Sequence, residues 1–288
     1  STPNTPMEFW YNLPYESRQK VYNWMLNLIL AIGLVVVLFP IYWMLATSFI
    51  PPTELFSVPN PLVPTNATLE SYIAVLDTDV LLWYRNTVIF AGGVVTLTTV
   101  AATLGGYGLA RLDIPYKKTF ARVILFGYMF PPILLSIPMF IFWRQIGIIN
   151  SLPGVILAQT ATTLPFSLWL MWQFFQTVPI SLEEAAWSNG ASRIRGIFEV
   201  AIPSAAPGIV AVTIYSFALG WNNFLFAFIF LQSPDQQVLT TGIQNFLQGS
   251  QIVWSNLMAA AAVLSLPPIL LVLFLNRYIM AGFAVQAN

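Results

Sequence analysis

The chain contains no cysteine and no histidine, and charged residues fill only 8% of its 288 positions. Without cysteine there is no disulfide framework and no thiolate chemistry, and composition says nothing about the redox compartment. Without histidine the commonest general base and the commonest metal ligand are both missing. No catalytic residue and no metal-binding set is nominated. A soluble domain usually carries about 25% charge; here 57% of residues are hydrophobic, so water is not the main solvent. A formal net charge of zero offers no basic patch to neutralise phosphates, which argues against a nucleic-acid partner. The phosphate loop G-x-x-x-x-G-K-[ST] needs a Gly-Lys pair, and none of Lys20, Lys117 and Lys118 follows a glycine. No cofactor is expected on this chain.

What is present is a set of long apolar runs. A bilayer core of roughly 30 Å needs about 20 mostly apolar helical residues. Six stretches qualify, at about 27–49, 87–110, 119–143, 153–175, 208–231 and 257–279. The first follows Arg18 and Lys20 in the manner of a signal peptide. Its apolar run exceeds the roughly 7–15 residues of such a segment and no clear cleavage site ends it, so it is read as a retained anchor. Phe9, Trp10, Tyr11 and Tyr15 ahead of it suit a stretch lying at the membrane surface. The expected fold class is therefore an all-α membrane protein with six transmembrane helices. Residues 1–24 form a cytoplasmic N-terminal segment, 25–279 the transmembrane domain and 280–288 a cytoplasmic tail.

The basic residues orient the spans. With the N-terminus inside, Arg18, Lys20, Arg111, Lys117, Lys118, Arg122, Arg193, Arg195 and Arg277 fall on the inner side, and only Arg85 and Arg144 on the outer. This is the expected inward bias of positive charge, and it places both termini in the cytoplasm. The acids, from Glu8 to Asp235, all fall in loops or at span ends. None sits mid-span, where insertion would cost about 2.5–3.5 kcal/mol. A proton-coupled carrier needs a titrating relay inside the membrane, and this chain has neither the acids nor a histidine for one. Sodium coupling through carbonyls and hydroxyls stays open, but the simpler inference is that the energy comes from another polypeptide. A six-span intramembrane protease of the rhomboid kind would need G-x-S-G and a histidine, and has neither here.

The loop at 176–207 is too polar to span and too patterned to be a linker. Ser181-Leu182-Glu183-Glu184 fits a capping box, with Glu184 folding back to the cap's amide. A helix over about 182–189 follows, and Asn189-Gly190 ends it, because glycine accepts the left-handed conformation. Ser192 can cap a second helix in which Ile194, Ile197, Phe198 and Ala201 form an amphipathic stripe. Pro203 and Pro207 mark the entry to the fifth span. Small Ala185 and Ala186 beside charged Glu184 let another backbone approach and give an arginine something to bind. From the residues alone, such a hairpin either docks a partner or lies on the inner leaflet.

Glu184-Ala185-Ala186, then Gly190-Ala191, then Val200-Ala201-Ile202-Pro203 resembles the EAA loop of ABC-importer permeases, with matching spacing. The likeness extends over nearly the whole chain, toward carbohydrate-uptake permeases of the maltose-permease G-subunit type. Leu38-Phe39-Pro40-Ile41-Tyr42-Trp43-Met44 is similar to that family's first span, and Gly106-Tyr107-Gly108-Leu109-Ala110-Arg111 to its second. Trp221-Asn222 before Phe224-Leu225-Phe226-Ala227 resembles its W-N-E-F-L-F-A segment, with Asn223 in place of glutamate. Ala281-Gly282-Phe283-Ala284-Val285 resembles its ending, without the usual basic residue and glycine.

The resemblance implies a type I ABC importer permease fold and a non-catalytic subunit in the cell membrane. Its implied partners are a second permease subunit, two cytoplasmic ATPase subunits carrying ATP and Mg, and an extracytoplasmic sugar-binding protein. The implied cargo is a sugar, polyol or glycerophosphate. An ion-coupled carrier, or an ABC permease for another solute, is the alternative. Glu184, Ala185, Ala186, Gly190, Ala191 and Pro203 are the residues implied in coupling to the ATPase. Trp221, Asn222 and Asn223 are candidates for the substrate pathway, although such amides equally serve as interhelical hydrogen-bond glue. Gln248, Gly249, Ser250 and Gln251 are candidates for contact with the binding protein. Pro131, Pro132, Pro138, Pro165, Pro267 and Pro268 are either flexing points or fixed packing elements.

Overall fold

A computed structural model of the chain describes residues 14–55, 63–247 and 252–286, with the side chains of 275–286 excepted. Among the described residues there is no strand. The helices are α1 (Tyr15–Ser48), α2 (Glu70–Leu76), α3 (Val80–Arg111), α4 (Lys117–Gly127), α5 (Pro132–Gln145), α6 (Leu152–Thr177), α7 (Ser181–Ser188), α8 (Arg193–Ser204), α9 (Ala206–Trp221), α10 (Leu225–Phe230), α11 (Leu239–Gly242) and α12 (Trp254–Gln286). Four of them, α1, α3, α6 and α12, are long and apolar enough to cross a bilayer, and the bent pairs α4–α5 and α8–α9 raise the number to six.

The chain divides into two units, Ser1–Tyr72 with Trp254–Ala262, and Ile73–Val253 with Val263–Asn288. In the first, α1 exposes Leu28, Ile29, Leu30, Ile32 and Leu34 through Leu38. Apolar all-round exposure is the low-energy state for a helix in hydrocarbon, because its backbone groups are bonded within the helix. Only its end is covered: Ala46, Thr47 and Ser48 are buried. There the Ser48 hydroxyl donates to Leu45 O at 2.7 Å and shares a 2.8 Å bond with the Tyr72 hydroxyl.

The second unit is organised around α3, α6 and α9. With hydrocarbon outside, apolar side chains gain little by leaving it, so helix association rests on close packing of small residues and on hydrogen bonds. Gly106 of α3 shows the first device. A Cβ there would lie 2.6 Å from Met171 Cβ and 2.8 Å from Trp172 N, so α3 and α6 touch backbone to side-chain root. Two apolar clusters flank this crossing. Phe90 and Val94 of α3 join Val155 and Ala158 of α6 and Phe226, Ala227 and Phe230 of α10. At the other end Ala102, Met171, Phe175, Ala201, Ala205 and Val212 unite α3, α6, α8 and α9. Hydrogen bonds then fix the segment after α10. Asn86 donates to Asp235 O at 2.9 Å and Gln237 O at 2.8 Å, and Leu239 N donates to the Thr87 hydroxyl at 2.8 Å.

Two spans expected to be continuous are broken. The third, expected at 119–143, bends by 90° between α4 and α5. Pro131 is extended, with ψ 129°, and Pro132 opens α5. Neither has an N–H to give and each disfavours helix in the residue before it, and here the ladder stops. Pro138, Pro165, Pro267 and Pro268 instead lie inside uninterrupted helices. The fifth, expected at 208–231, stops at Trp221 and resumes at Leu225. No proline causes this break; side-chain amides satisfy the backbone instead.

Candidate functional site

Two features carry the chemistry of the second unit: a cavity at the span breaks and a hairpin between α6 and α9. The cavity has a volume of about 510 Å³ and lies where the two breaks meet the middle of α6. One wall is the Gly127–Pro132 turn, another is α9 and the Asn222–Phe226 turn, and Gln159, Ala161 and Thr162 of α6 form the third. Side-chain amides reinforce the Asn222–Phe224 turn. Asn222 Nδ2 donates to Ala218 O at 3.0 Å, closing the end of α9. Asn223 Oδ1 accepts from Ala227 N at 3.2 Å, capping α10, and Asn223 O accepts from the Thr240 hydroxyl at 2.7 Å. The Asn223 amide also donates to Gln159 Oε1, and Gln159 Nε2 donates to the Thr163 hydroxyl at 2.9 Å. Non-helical backbone at membrane depth is tolerated where such bonds satisfy it and where it lines a cavity; both hold here.

The hairpin is α7, a glycine turn and α8. Gly190 has φ of 90°, the left-handed region, and Ser192 caps α8 by accepting from Arg195 N at 3.2 Å. Trp187 closes the hairpin: the Arg193 guanidinium sits 3.9 Å above its ring, and Gly196 leaves room for its indole. The capping box expected at Ser181–Glu184 does not form. The helical turn begins earlier, with Leu182 N donating to Pro179 O at 3.3 Å and Glu184 N to Ile180 O at 3.1 Å, so Ser181 is already inside it. The expected amphipathic stripe of α8 is also divided. Ala201 is buried, but Ile194 and Phe198 are 68% and 59% exposed, because α8 winds through a π-turn at Ile197–Ala201 that rotates its faces.

Beneath the hairpin lies a contact that sequence reading missed. Glu183, fully buried, accepts from Arg111 Nε at 2.6 Å and from the Tyr107 hydroxyl at 2.8 Å. The same guanidinium donates to Phe175 O at 3.1 Å and Val178 O at 2.8 Å. These two carbonyls belong to the C-terminal end of α6, where the helix leaves acceptors unbonded and partial negative charge accumulates. Arg111 therefore caps α6 and binds α7 at once, joining three elements through one planar group. The signal was available in part: Arg111 ends a span, and two adjacent acids stood in the loop after α6.

The other sequence-derived candidates are placed as follows. Glu184, Ala185, Gly190 and Pro203 are exposed, and Ala186 and Ala191 are partly covered. Asn222 and Asn223 line the cavity, but Trp221 does not. Its ring is 2% exposed, stacked at 5.4 Å on Phe217, and its indole N–H donates to Leu264 O at 3.0 Å. That ring is a packing element joining α9 to α12. Gln248, Gly249, Ser250 and Gln251 lie outside the described residues.

Residues 102–284, which include both span breaks and the whole hairpin, match the family model described as binding-protein-dependent transport system inner membrane component. The chain belongs to this family. Several full-length transport permeases are similar to it. The inner membrane ABC transporter permease protein YcjP of Escherichia coli is 31% identical over 88% of this chain and 91% of that protein. The trehalose/maltose transport system permease protein MalG of Thermococcus litoralis is 33% identical over 94% of this chain and 98% of that protein. The diacetylchitobiose uptake system permease protein NgcG of Streptomyces coelicolor is 32% identical over 88% and 84%, respectively. In fold, this permease superposes on a chain of a bacterial ABC transporter involved in import of the acidic polysaccharide alginate. The TM-score is 0.80 at 21% identity, covering 92% of this chain and 99% of that one. The fold expected from the sequence, that of an importer permease, is the fold found. The broken spans and the hairpin are thus features of a transport permease, and its cavity and its hairpin are the places to seek passage and drive.

Proposed function

We propose that this permease is half of the translocation pathway of an ATP-driven, binding-protein-dependent importer for a sugar or related polyol. A second permease subunit completes the pathway, two ATPase subunits on separate chains supply the energy, and an extracytoplasmic binding protein delivers the cargo. The chain itself is non-catalytic and binds no cofactor; ATP and Mg are held by the ATPases. Both termini face the cytoplasm in this reading, as the distribution of basic residues supports. The sugar reading is supported by the relatives whose names specify trehalose/maltose and diacetylchitobiose.

The observation that carries the reading is the hairpin's division into a buried root and an exposed crown. Glu183 at the root is locked to Arg111, while Glu184 and Ala185 stand exposed at the crown beside exposed Ile180, Leu182, Ile194 and Phe198. A rigid root with an exposed crown suits a lever that an ATPase grips: small Ala185 and Ala186 admit its surface, Glu184 offers a carboxylate in addition to the exposed Arg195–Glu199 pair, and Gly190, Ala191 and Pro203 shape the turn and exit. The test uses the absence of native cysteine. Ala185→Cys, installed in the assembled importer with one cysteine on the ATPase surface, should cross-link to the ATPase in a nucleotide-dependent manner. Full uptake with no cross-link from any crown position would reject the assignment.

A further inference from the structure

We propose that the cavity at the two span breaks is a subsite for an uncharged polyhydroxylated ligand and turns away carboxylated, sulfonated or phosphorylated sugars. The proposal rests on the sugar reading above and narrows its substrate class. Three observations carry it. First, among the described residues lining the cavity there is no Asp, Glu, Lys or Arg. An anion would leave water there without a countercharge, which is costly in so apolar a surrounding. A neutral hydroxyl can exchange its water bonds for bonds to the walls.

Second, the start of α5, which meets the cavity, is poor in donors. A helix N-terminus ordinarily attracts anions through its free N–H groups. Here α5 begins after Pro131 with Pro132, and neither carries an N–H. The Ala227 N–H of α10 is already held by Asn223 Oδ1. The attraction for anions that a broken helix often provides is weakened at α5.

Third, the walls carry uncharged hydrogen-bonding groups of both kinds. Asn222 places its amide N–H on Ala218 O, and Thr162 donates its hydroxyl proton to Gln159 O at 3.0 Å. Asn222 Oδ1 and the lone pairs of Thr162 Oγ1 remain to accept, and the second Nδ2–H of Asn222 remains to donate. Neutral donors and acceptors together match sugar hydroxyls, which both give and take protons, and supply no countercharge to an anion. Half-exposed Phe130 and more weakly exposed Phe224 add aromatic faces of the kind that cover the C–H side of a pyranose.

The test measures binding to the permease itself, because the binding protein imposes its own selectivity. The importer, with both permeases and its ATPases but no binding protein, is placed in lipid nanodiscs. Saturation-transfer NMR is then recorded with cellobiose and, separately, with cellobiouronate, the same disaccharide bearing one carboxylate. Transfer to cellobiose should exceed that to the uronate about tenfold or more, as expected when an unmatched polar group must be desolvated. Asn222→Leu with Thr162→Val should abolish the cellobiose signal while ATP hydrolysis by the complex persists. Asn222→Lys should raise the uronate signal. Equal or stronger transfer to the uronate in the unaltered importer overturns neutrality but leaves the sugar reading intact. Cellobiose transfer that survives the double variant overturns this location for the subsite. No transfer to either sugar overturns the subsite and the sugar reading together.

Discussion

Glu183 and Glu184 are neighbours in sequence, yet one is fully buried and the other exposed. Successive helical residues point about 100° apart, so α7 can turn one carboxylate into the protein and the other away from it. Removing one partner from a buried ion pair strands the other, at a cost of about 3–5 kcal/mol. Glu183→Gln should therefore lower the unfolding temperature of the purified permease complex well below that of Glu184→Gln, as read by a thermal-shift assay. Equal midpoints for the two variants would mean that the Arg111 contact contributes nothing. Gly190 illustrates a different constraint. A side chain there would meet nothing within 4 Å, so space is not limiting, but φ of 90° is strained for any residue with a Cβ. A β-branched residue resists that backbone, at about 1–3 kcal/mol, and Asn tolerates it better. Gly190→Val should separate ATP hydrolysis from uptake in reconstituted vesicles, whereas Gly190→Asn retains most of the coupling. Normal uptake by a well-assembled Gly190→Val importer counts against the lever.

The two broken spans show two ways of interrupting a helix in a membrane. Between α4 and α5 the cause is covalent: Pro131 and Pro132 cannot donate. Between α9 and α10 no proline intervenes; the Asn223 amide caps α10 and the Asn222 amide adds a second bond to the last turn of α9. Replacing Asn223 by Leu leaves the Ala227 N–H and Gln159 Oε1 without the partners they have now, and each orphaned group costs about 1–3 kcal/mol. Hydrogen-exchange mass spectrometry on Asn223→Leu should show faster exchange across 224–228 than in the unaltered chain; unchanged protection there would remove the amide from its role in the break. The α3–α6 crossing makes a steric prediction. Gly106→Val drives a branched side chain into Met171 Cβ and Trp172 N, and overpacking of this kind costs about 1–3 kcal/mol. Thermal unfolding should fall further for Gly106→Val than for Val substituted at Gly92, where nothing stands within 4 Å.

At the scale of the whole molecule, the spans hold no acid suited to a proton relay, and the proposed drive lies outside the chain. Uptake by the reconstituted importer should require ATP and persist when an ionophore collapses the ion gradients; loss of uptake with the ionophore, at constant ATP, would point back to an ion-coupled carrier. The solvent of this chain, its approximate spans and its hairpin were legible from sequence, because they depend on hydropathy summed over about 20 residues and on local turn chemistry at Asn189-Gly190 and Ser192. Helices that are apolar on every side carry no stripe to report which face meets a neighbour. The burial of Glu183, the structural rather than cavity-lining place of Trp221, the break at Asn222–Phe224 and the 90° bend at the Pro131-Pro132 turn therefore emerged only with the tertiary structure. The first three each depend on a partner distant in the chain: Arg111 for Glu183, Leu264 for Trp221, Gln159 and Thr240 for Asn223. Local composition states what a residue can bond to, and folding alone brings a particular partner within 3 Å of it.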